Sequence, residues 1–145
     1  MLLYGADQDV CDWASMQFIG RKDWFRDSGA IGVVNNGKLI AGVIYSNYCT
    51  DKENNPVSIE MSIASIDKRW ATRHNLRAFF MHPFIDLKVK RVHTLCSAKN
   101  EGVVMFNKRL GFRQEGYHLE AWPLGGDAIS WGMLKSECKW VKNGE

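Results

Sequence analysis

The stretch Asn100-Glu-Gly-Val-Val-Met-Phe-Asn-Lys-Arg-Leu-Gly-Phe-Arg-Gln-Glu-Gly116 decides how this sequence folds. Asn is a residue type favoured at helix N-caps, and Gly111 is the type favoured immediately after a helix ends. The spacing predicts a helix over Asn100–Leu110 that passes directly into a strand over Phe112–Leu119. We expect one side of this helix to face the core, through Val103, Val104 and Phe106.

The rest of the chain alternates strand and helix signals. Further strands are predicted over Ala30–Val34, Lys38–Tyr45, Val57–Ile66, Arg91–Ala98 and Ala128–Leu134. Helices are predicted from Asp7, as N-cap, to Gly20 and over Ala71–His82, with a second short helix at Lys22–Phe25. Asn35-Asn36-Gly37 predicts a tight hairpin turn, and Asn47–Pro56 is predicted as a loop. This order indicates a mixed α+β sheet with both parallel and antiparallel neighbours.

The composition is that of a folded domain. The chain has 145 residues, of which 46% are hydrophobic and 24% charged, so we expect one domain over residues 1–145. The net charge of +3 gives little support to a nucleic-acid partner, which nevertheless stays open. No apolar run reaches the length of a membrane span, and we expect a cytoplasmic protein. Four scattered cysteines suit reduced thiols, and neither they nor the four histidines show metal-ligand spacing.

The 100–116 segment closely resembles the fourth helix and sixth strand of the GNAT N-acetyltransferase superfamily, whose pattern is N-x-x-A-x-x-x-Y/F-x-K-x-G-F-x-x-E-G. Val103 departs from it, in the usual small-residue position. The resemblance implies a central, mostly antiparallel sheet of six to seven strands, with helices on both faces and a splayed parallel pair, the fourth and fifth strands. The residues that match are Asn100, Phe106, Lys108, Leu110, Gly111, Phe112, Glu115 and Gly116.

The resemblance also implies where acetyl-CoA would bind, between the fourth and fifth strands, with no metal. Its pantetheine arm would pair with the end of Val57–Ile66, and its pyrophosphate would lie on the N-terminus of the next helix, where free N–H groups attract anions. The implied cofactor-binding residues are Ser65, Ile66, Ala71, Thr72, Arg73, His74, Asn75, Leu76, Arg77, Asn100 and Phe106.

The pyrophosphate loop departs from the family pattern Q/R-x-x-G-x-G/A. Both glycines are absent, with His74 and Leu76 in the loop Ala71–Leu76, and glycine is what lets a phosphate approach the backbone closely. Basic residues are nevertheless concentrated here, opposed by Asp67. A cofactor site and a solvated basic helix face are both compatible with this cluster, formed by Lys68, Arg69, Arg73 and Arg77.

Glu60 is the candidate general base. The resemblance places a glutamate at this strand position in lysine-acetylating relatives, and N-acetylation requires a group that takes a proton from an ammonium. A surface glutamate on the sheet is the alternative. Phe106 occupies the position of the tyrosine that protonates the CoA thiolate in many relatives, so water, Tyr117 or no acid at all would serve. Cys96 is expected to fill the core rather than to act as a nucleophile.

The sequence therefore predicts an N-acetyltransferase that transfers the acetyl group of acetyl-CoA to a primary amine: a protein lysine, an N-terminus or a small amine. The acceptor-selecting loops Asn47–Pro56 and His118–Asp127 carry acidic and aromatic residues that suit a cation: Tyr48, Asp51, Glu53, Glu120, Trp122 and Asp127.

Two other functions stay open at this point. One is a degenerate member that binds a host protein or nucleic acid without catalysis, through its Trp-rich C-terminal part. The other is an acyltransferase that modifies a DNA base. The run Trp70-Ala-Thr-Arg73 resembles small acetyltransferase-like proteins of tailed bacteriophages, which would place the protein in the host cytoplasm. A homodimer is compatible with the apolar final strands.

Overall fold

The computed structural model describes residues 1–25 and 28–142. Its seven-stranded sheet has the order β1-β2-β3-β4-β5-β7-β6, and its three α-helices lie on both faces of that sheet. The strands are β1 (Leu2–Leu3), β2 (Gly29–Asn35), β3 (Lys38–Thr50), β4 (Pro56–Ser65), β5 (Arg91–Ser97), β6 (Arg113–His118) and β7 (Ala128–Leu134), and the helices are α1 (Asp7–Ile19), α2 (Arg73–Met81) and α3 (Glu101–Leu110). The predicted mixed α+β class is confirmed.

The two faces of the sheet carry separate apolar clusters. On one face, α1 packs Val10, Cys11 and Ala14 against the middle of β2, β3 and β4. On the other face, α2 and the end of α3 cover a larger core, in which Phe79, Phe80 and Trp131 are fully enclosed. β2, β3 and β4 therefore alternate their side chains between two different apolar clusters.

The parallel neighbours β4 and β5 pair only at their first residues. Their register runs from Ser58 opposite Arg91 to Glu60 opposite His93, and no pairing continues beyond that point. β4 continues to Ser65 and β5 to Ser97, so the two strands diverge and leave a wedge in the sheet. The splayed parallel pair is as predicted.

The structure contains both the hairpin turn and the helix end that local residues predicted. Asn36 and Gly37 both have positive φ, as a tight turn between β2 and β3 requires. In α3, the Asn100 side chain accepts the N–H of Val103, and Gly111 ends the helix in the left-handed region. Val103 itself is 37% exposed, so the prediction that it faces the core is wrong.

Three other local predictions are wrong. Lys22–Phe25 forms turns and bends and no helix. Asp7 is the first residue of α1 rather than its cap, and its carboxylate accepts the N–H of Ala30 in β2. The loop predicted over Asn47–Pro56 shrinks to residues 51–55, because β3 runs on to Thr50 and β4 starts at Pro56.

Helix α2 is shorter than the predicted Ala71–His82. A single 3-10 turn, Lys68–Trp70, comes first, and Thr72 caps α2 through its side chain. The chain then leaves α2 through a π-helical turn, His82–Asp86, that contains Pro83. The whole connection carries the chain from the end of β4 back to the start of β5, as parallel neighbours require.

Candidate active site

A cleft of about 830 Å³ occupies the wedge between β4 and β5. It opens onto both faces of the sheet, because its walls include Glu60 and Ser62 from the α1 face of β4 and Met61 and Ile63 from the other. Several predicted site residues meet here although they are distant in sequence: Glu60, Ser65, Ala71, Asn100 and Phe106.

The edge of β4 that faces this cleft has backbone groups without a strand partner. The N–H of Ile66 donates to the carbonyl of Ile40 beside β3 (2.9 Å), so it points away from the cleft. Because backbone groups alternate along a strand, those of Ile63 and Ser65 point toward the wedge that β5 has left. Of the predicted pair Ser65 and Ile66, only Ser65 therefore offers its amide to the cleft.

The start of α2 presents two backbone amides to solvent. Thr72 Oγ1 accepts the N–H of Asn75 (3.1 Å), and the Thr72 carbonyl accepts that of Leu76 (2.9 Å). The N–H groups of Arg73 and His74 precede them in the first turn, where a helix supplies no partner. Of the residues predicted to bind the pyrophosphate, Ala71–His74 are exposed, Asn75 and Leu76 are buried, and Arg77 is half-buried.

Asn75 and Leu76 have structural positions instead. Leu76 is buried in the core under α2. Asn75 is also buried, and its side-chain amide donates to the carbonyl of Trp70 (2.8 Å). Leu76 occupies one of the two glycine positions of the family pattern, and a glycine there would lose this packing, which gives a physical reason for that departure. His74, at the other glycine position, is exposed.

An ion pair with Asp67 separates Arg69 from the other basic residues of the cluster. Lys68 lines the cleft, and Arg73 is exposed at the start of α2. Arg69 instead binds the Asp67 carboxylate through Nε and Nη2, and this contact lowers the pKa of Asp67 to about 2. Lys68 and Arg73 are therefore not engaged by the Asp67–Arg69 pair: Lys68 lines the cleft, and Arg73 lies at the start of α2, outside the cleft lining.

Phe106 and Trp70 form the floor of the cleft between α3 and the 3-10 turn. Their rings meet edge to face with centroids 5.8 Å apart, and Trp70 also stacks on Phe79 (5.4 Å). Phe106 thus has a packing role at the position where relatives carry tyrosine. Tyr117 is not in the cleft, since it lies on β6 and donates to Asp127 (2.8 Å).

Glu60 lies at the point where β4 and β5 diverge. Asn47 Nδ2 donates to Glu60 Oε1 (3.0 Å), and His93 Nδ1 lies 4.0 Å from the same oxygen. Asn47 has φ +54°, and the register of β3 against β4 shifts just there, so an irregularity in β3 turns the amide toward the carboxylate. The carboxylate is half-buried, accepts a hydrogen bond from β3 and lies close to the imidazole on β5.

His93, which the sequence analysis gave no role in the site, lies beside Glu60 in the structure. Burial is the largest effect on its pKa and lowers it, and Arg91 lowers it further, while the charges of Glu60 and Glu115 act in the opposite direction. The net lowering favours a neutral imidazole near pH 7. Its position could not be read from the sequence, because the register between β4 and β5 creates it.

The acidic rim predicted from the loops is not part of the cleft. Asp51 instead accepts the backbone N–H groups of Glu53 and Asn55 and closes the 51–55 turn. Asp127 accepts from Tyr117 and from the N–H of Glu120. Of the six predicted rim residues, Trp122 lines the cleft.

Sequence reasoning missed the wall that faces Glu60. It is formed by the end of α1 and the turns after it, through Gln17, Phe18, Trp24 and Phe25, together with Leu95 of β5. The Phe18 and Phe25 rings meet edge to face, 5.6 Å apart. The sequence does contain a cluster of aromatic residues at the end of α1 and after it, but no short-range pattern shows that this cluster lies near β4.

Cys96 is a core residue, as predicted. It is buried, accepts a hydrogen bond from Trp131 Nε1 (3.2 Å), and burial raises its pKa. A raised pKa disfavours the thiolate that a nucleophile needs. Within residues 1–25 and 28–142, no cluster of potential metal ligands is found, and no helix is long and apolar enough to cross a membrane.

No family model and no curated protein matches the sequence. Solved structures do match it. An acetyltransferase of the GNAT family from Bacillus anthracis is 16% identical, with a TM-score of 0.57, over 76% of this chain and 67% of that one. The chain has the GNAT fold.

Two further matches carry functional names. A spermidine N-acetyltransferase mutant from Vibrio cholerae is 19% identical, with a TM-score of 0.65, over 84% of this chain and 72% of that one. RimJ from Mycobacterium smegmatis, solved in complex with CoA-disulfide, is 14% identical, with a TM-score of 0.59, over 76% of this chain and 54% of that one. This GNAT-fold chain spans only 62% of another match, a probable acetyltransferase.

Proposed function

We propose that this GNAT-fold protein is an N-acetyltransferase that transfers the acetyl group of acetyl-CoA to a primary amine. The observation that carries the proposal is the wedge between β4 and β5, which brings a half-buried carboxylate and a free strand edge into one cleft. Ala71 in the wall of this cleft directly precedes Thr72, the cap of α2. The names of the matched structures, with spermidine N-acetyltransferase among them, support acetyl transfer in general.

The residues of the cleft fit the chemical parts of acetyl-CoA. The backbone of Ile63 and Ser65 would pair with the pantetheine amides, and the amides of Arg73 and His74 would bind the pyrophosphate. Lys68 and the Arg73 side chain add positive charge at the same end. Asn100 and Phe106 would border the arm from α3. Bound there, acetyl-CoA supplies an acyl group already activated as a thioester.

Glu60 would take the proton that makes the amine nucleophilic. The amine nitrogen then bonds to the acetyl carbon and the carbon–sulfur bond breaks, which gives an acetamide and CoA. Two protons leave the nitrogen in total: one goes to Glu60 and then to water, and the other goes to the CoA sulfur. Asn47 holds the carboxylate in place, and the neutral imidazole of His93 can accept a hydrogen bond beside it.

Water would carry this second proton from the nitrogen to the CoA sulfur. Phe106 has no proton to give, and Tyr117 lies outside the cleft. A thiolate is a good leaving group, so this step needs little assistance, and most of the rate advantage would come from holding thioester and amine together.

Release of CoA thiol during turnover with a panel of primary amines tests the proposal. We expect Glu60→Gln to lower kcat/KM by about 10²-fold or more, since general-base catalysis contributes about that much, and to leave acetyl-CoA binding intact. Glu53→Gln, in the exposed 51–55 turn, is the matched control and should behave like the natural sequence. Equal rates in the two variants would contradict the role of Glu60. A bacteriophage origin and a homodimer stay predictions.

A further inference from the structure

The part of the cleft on the α1 face is the part that an acceptor must enter. Glu60 points to this face, in alternation with Met61, and the base must meet the amine. The side chains around it on this face come from the end of α1, from the turns that follow and from β5. They are Gln17, Phe18, Trp24, Phe25 and Leu95.

These walls are aromatic and aliphatic, and part of their surface is uncovered. Phe18 and Phe25 pack against the cluster under α1, which fixes them in place. Trp24 is 41% exposed and Leu95 37% exposed, so a ligand would cover apolar surface that now faces water. Uncovered apolar surface in a concave site is typical of a binding pocket for an apolar group.

The cleft contains few charged side chains. Among the described residues that line it, Glu60 is the single carboxylate. Asp23, near Trp24 in the chain, pairs with Arg21 (2.9 Å), and Asp127 is occupied by Tyr117 and the Glu120 amide. The two lining cations are Lys68, which the proposed function places at the pyrophosphate, and Arg109, and neither offers a counter-charge to an ammonium. The described lining residues can therefore pair one ammonium, whereas the further charges of a polyamine would lose water without a partner among them.

We infer that the acceptor is a small primary monoamine with an aromatic or branched apolar body, rather than a polyamine. The inference rests on the proposed function and deepens it. The ammonium would lie at Glu60, and the apolar body would lie against Trp24, Phe18 and Leu95. Because the body contributes binding through burial, its loss would raise KM more than it lowers kcat.

The test compares 2-phenylethylamine and tryptamine with spermidine and with a short peptide that has a free N-terminal alanine. We expect kcat/KM for the aromatic monoamines to exceed that for spermidine and for the peptide by about tenfold or more, the scale of discrimination by an apolar pocket. A preference for spermidine would overturn the inference, and a preference for the peptide would assign the site to protein N-termini instead.

Trp24→Ala is the structural test of the pocket. We expect KM for 2-phenylethylamine to rise by about tenfold while KM for acetyl-CoA is unchanged. Tyr48→Ala removes another exposed aromatic ring, which lies outside the cleft, and should change neither constant. Equal effects of the two substitutions would overturn the assignment of Trp24.

Amine binding is also measured without turnover, by calorimetry on the free protein and on the protein with CoA. Tighter binding of 2-phenylethylamine than of spermidine, weakened by Trp24→Ala, would support the pocket even if no acetyl transfer occurred. Equal or weaker binding of 2-phenylethylamine would overturn it. Failure of acetyl-CoA to bind would instead contradict the proposed function, so the two failures are distinguishable.

Discussion

Glu60 and His93 show how single residues acquire a chemical setting that their own sequence neighbours do not provide. They are the last register partners of β4 and β5, and their side chains meet 4.0 Å apart where the strands diverge. Asn47 reaches the same carboxylate from β3 because its backbone adopts a positive φ. Three strands therefore define the environment of one candidate base.

The charge of Glu60 should influence the pKa of His93. The negative charge of Glu60 raises the pKa of His93 against the larger lowering by burial and the further lowering by Arg91. Glu60→Gln removes that opposing effect, so the pKa of His93 should fall further. Histidine NMR titration measures it, with His93→Gln to assign the signal.

Glu53→Gln is the control for this titration and should leave the His93 pKa where it is. Glu115 also faces His93 and raises its pKa, so it must stay intact in every variant. A His93 pKa that stayed the same or rose in Glu60→Gln would show that the two side chains do not interact in solution.

At the scale of elements, an ion pair spans the half of the sheet that follows the wedge. Arg91 of β5 binds Glu115 of β6 through both carboxylate oxygens (2.8 and 2.9 Å), although β7 lies between these strands. Gly132 of β7 makes this possible, because a Cβ there would overlap the Glu115 carboxylate. The strand that carries His93 is thereby connected to the edge of the sheet.

Gly132→Ala should break this arrangement. The added methyl group displaces the Glu115 carboxylate, which is the end of a flexible side chain, so the cost is the loss of a partly exposed ion pair, about 1 kcal/mol or less. Urea unfolding should show a lower midpoint for this variant than for Gly29→Ala, in which the same gain of a methyl group displaces nothing. Gly29→Ala is the matched control, since Gly29 is also a strand residue but has open space around its Cβ position and no positive φ. Equal midpoints for the two variants would contradict the packing argument.

Local signals predicted the elements that have caps and turns of their own. The helix Asn100–Leu110 and the Asn36-Gly37 hairpin follow from residues whose conformational preferences act over a few positions. The extension of β3 to Thr50 does not, because strand length depends on the partner β4. Lys22–Phe25 forms turns and bends, because four residues are too few for a stable helix without tertiary support.

At the scale of the whole molecule, the sequence predicted the fold better than it predicted the candidate site. Glu60 and Ser65 were predicted from their positions along β4, and both line the cleft, whereas Arg73, predicted with them, lies at the start of α2 outside the cleft lining. The wall formed by Phe18 and Trp24 was missed, because it faces β4 only after α1 has packed on the sheet. Contacts between distant segments carry the specificity of the cleft, and they depend on tertiary packing.

The central claim is that the wedge between β4 and β5 binds acetyl-CoA, and calorimetric titration of purified protein with acetyl-CoA tests it most directly. We predict micromolar binding that Arg73→Glu weakens by about tenfold or more, since a charged hydrogen bond to phosphate is lost and a repulsive charge is added. Lys38→Glu, an equal charge reversal at the β2–β3 turn, should bind normally. Absence of binding at millimolar acetyl-CoA, or equal loss in both variants, would contradict the account.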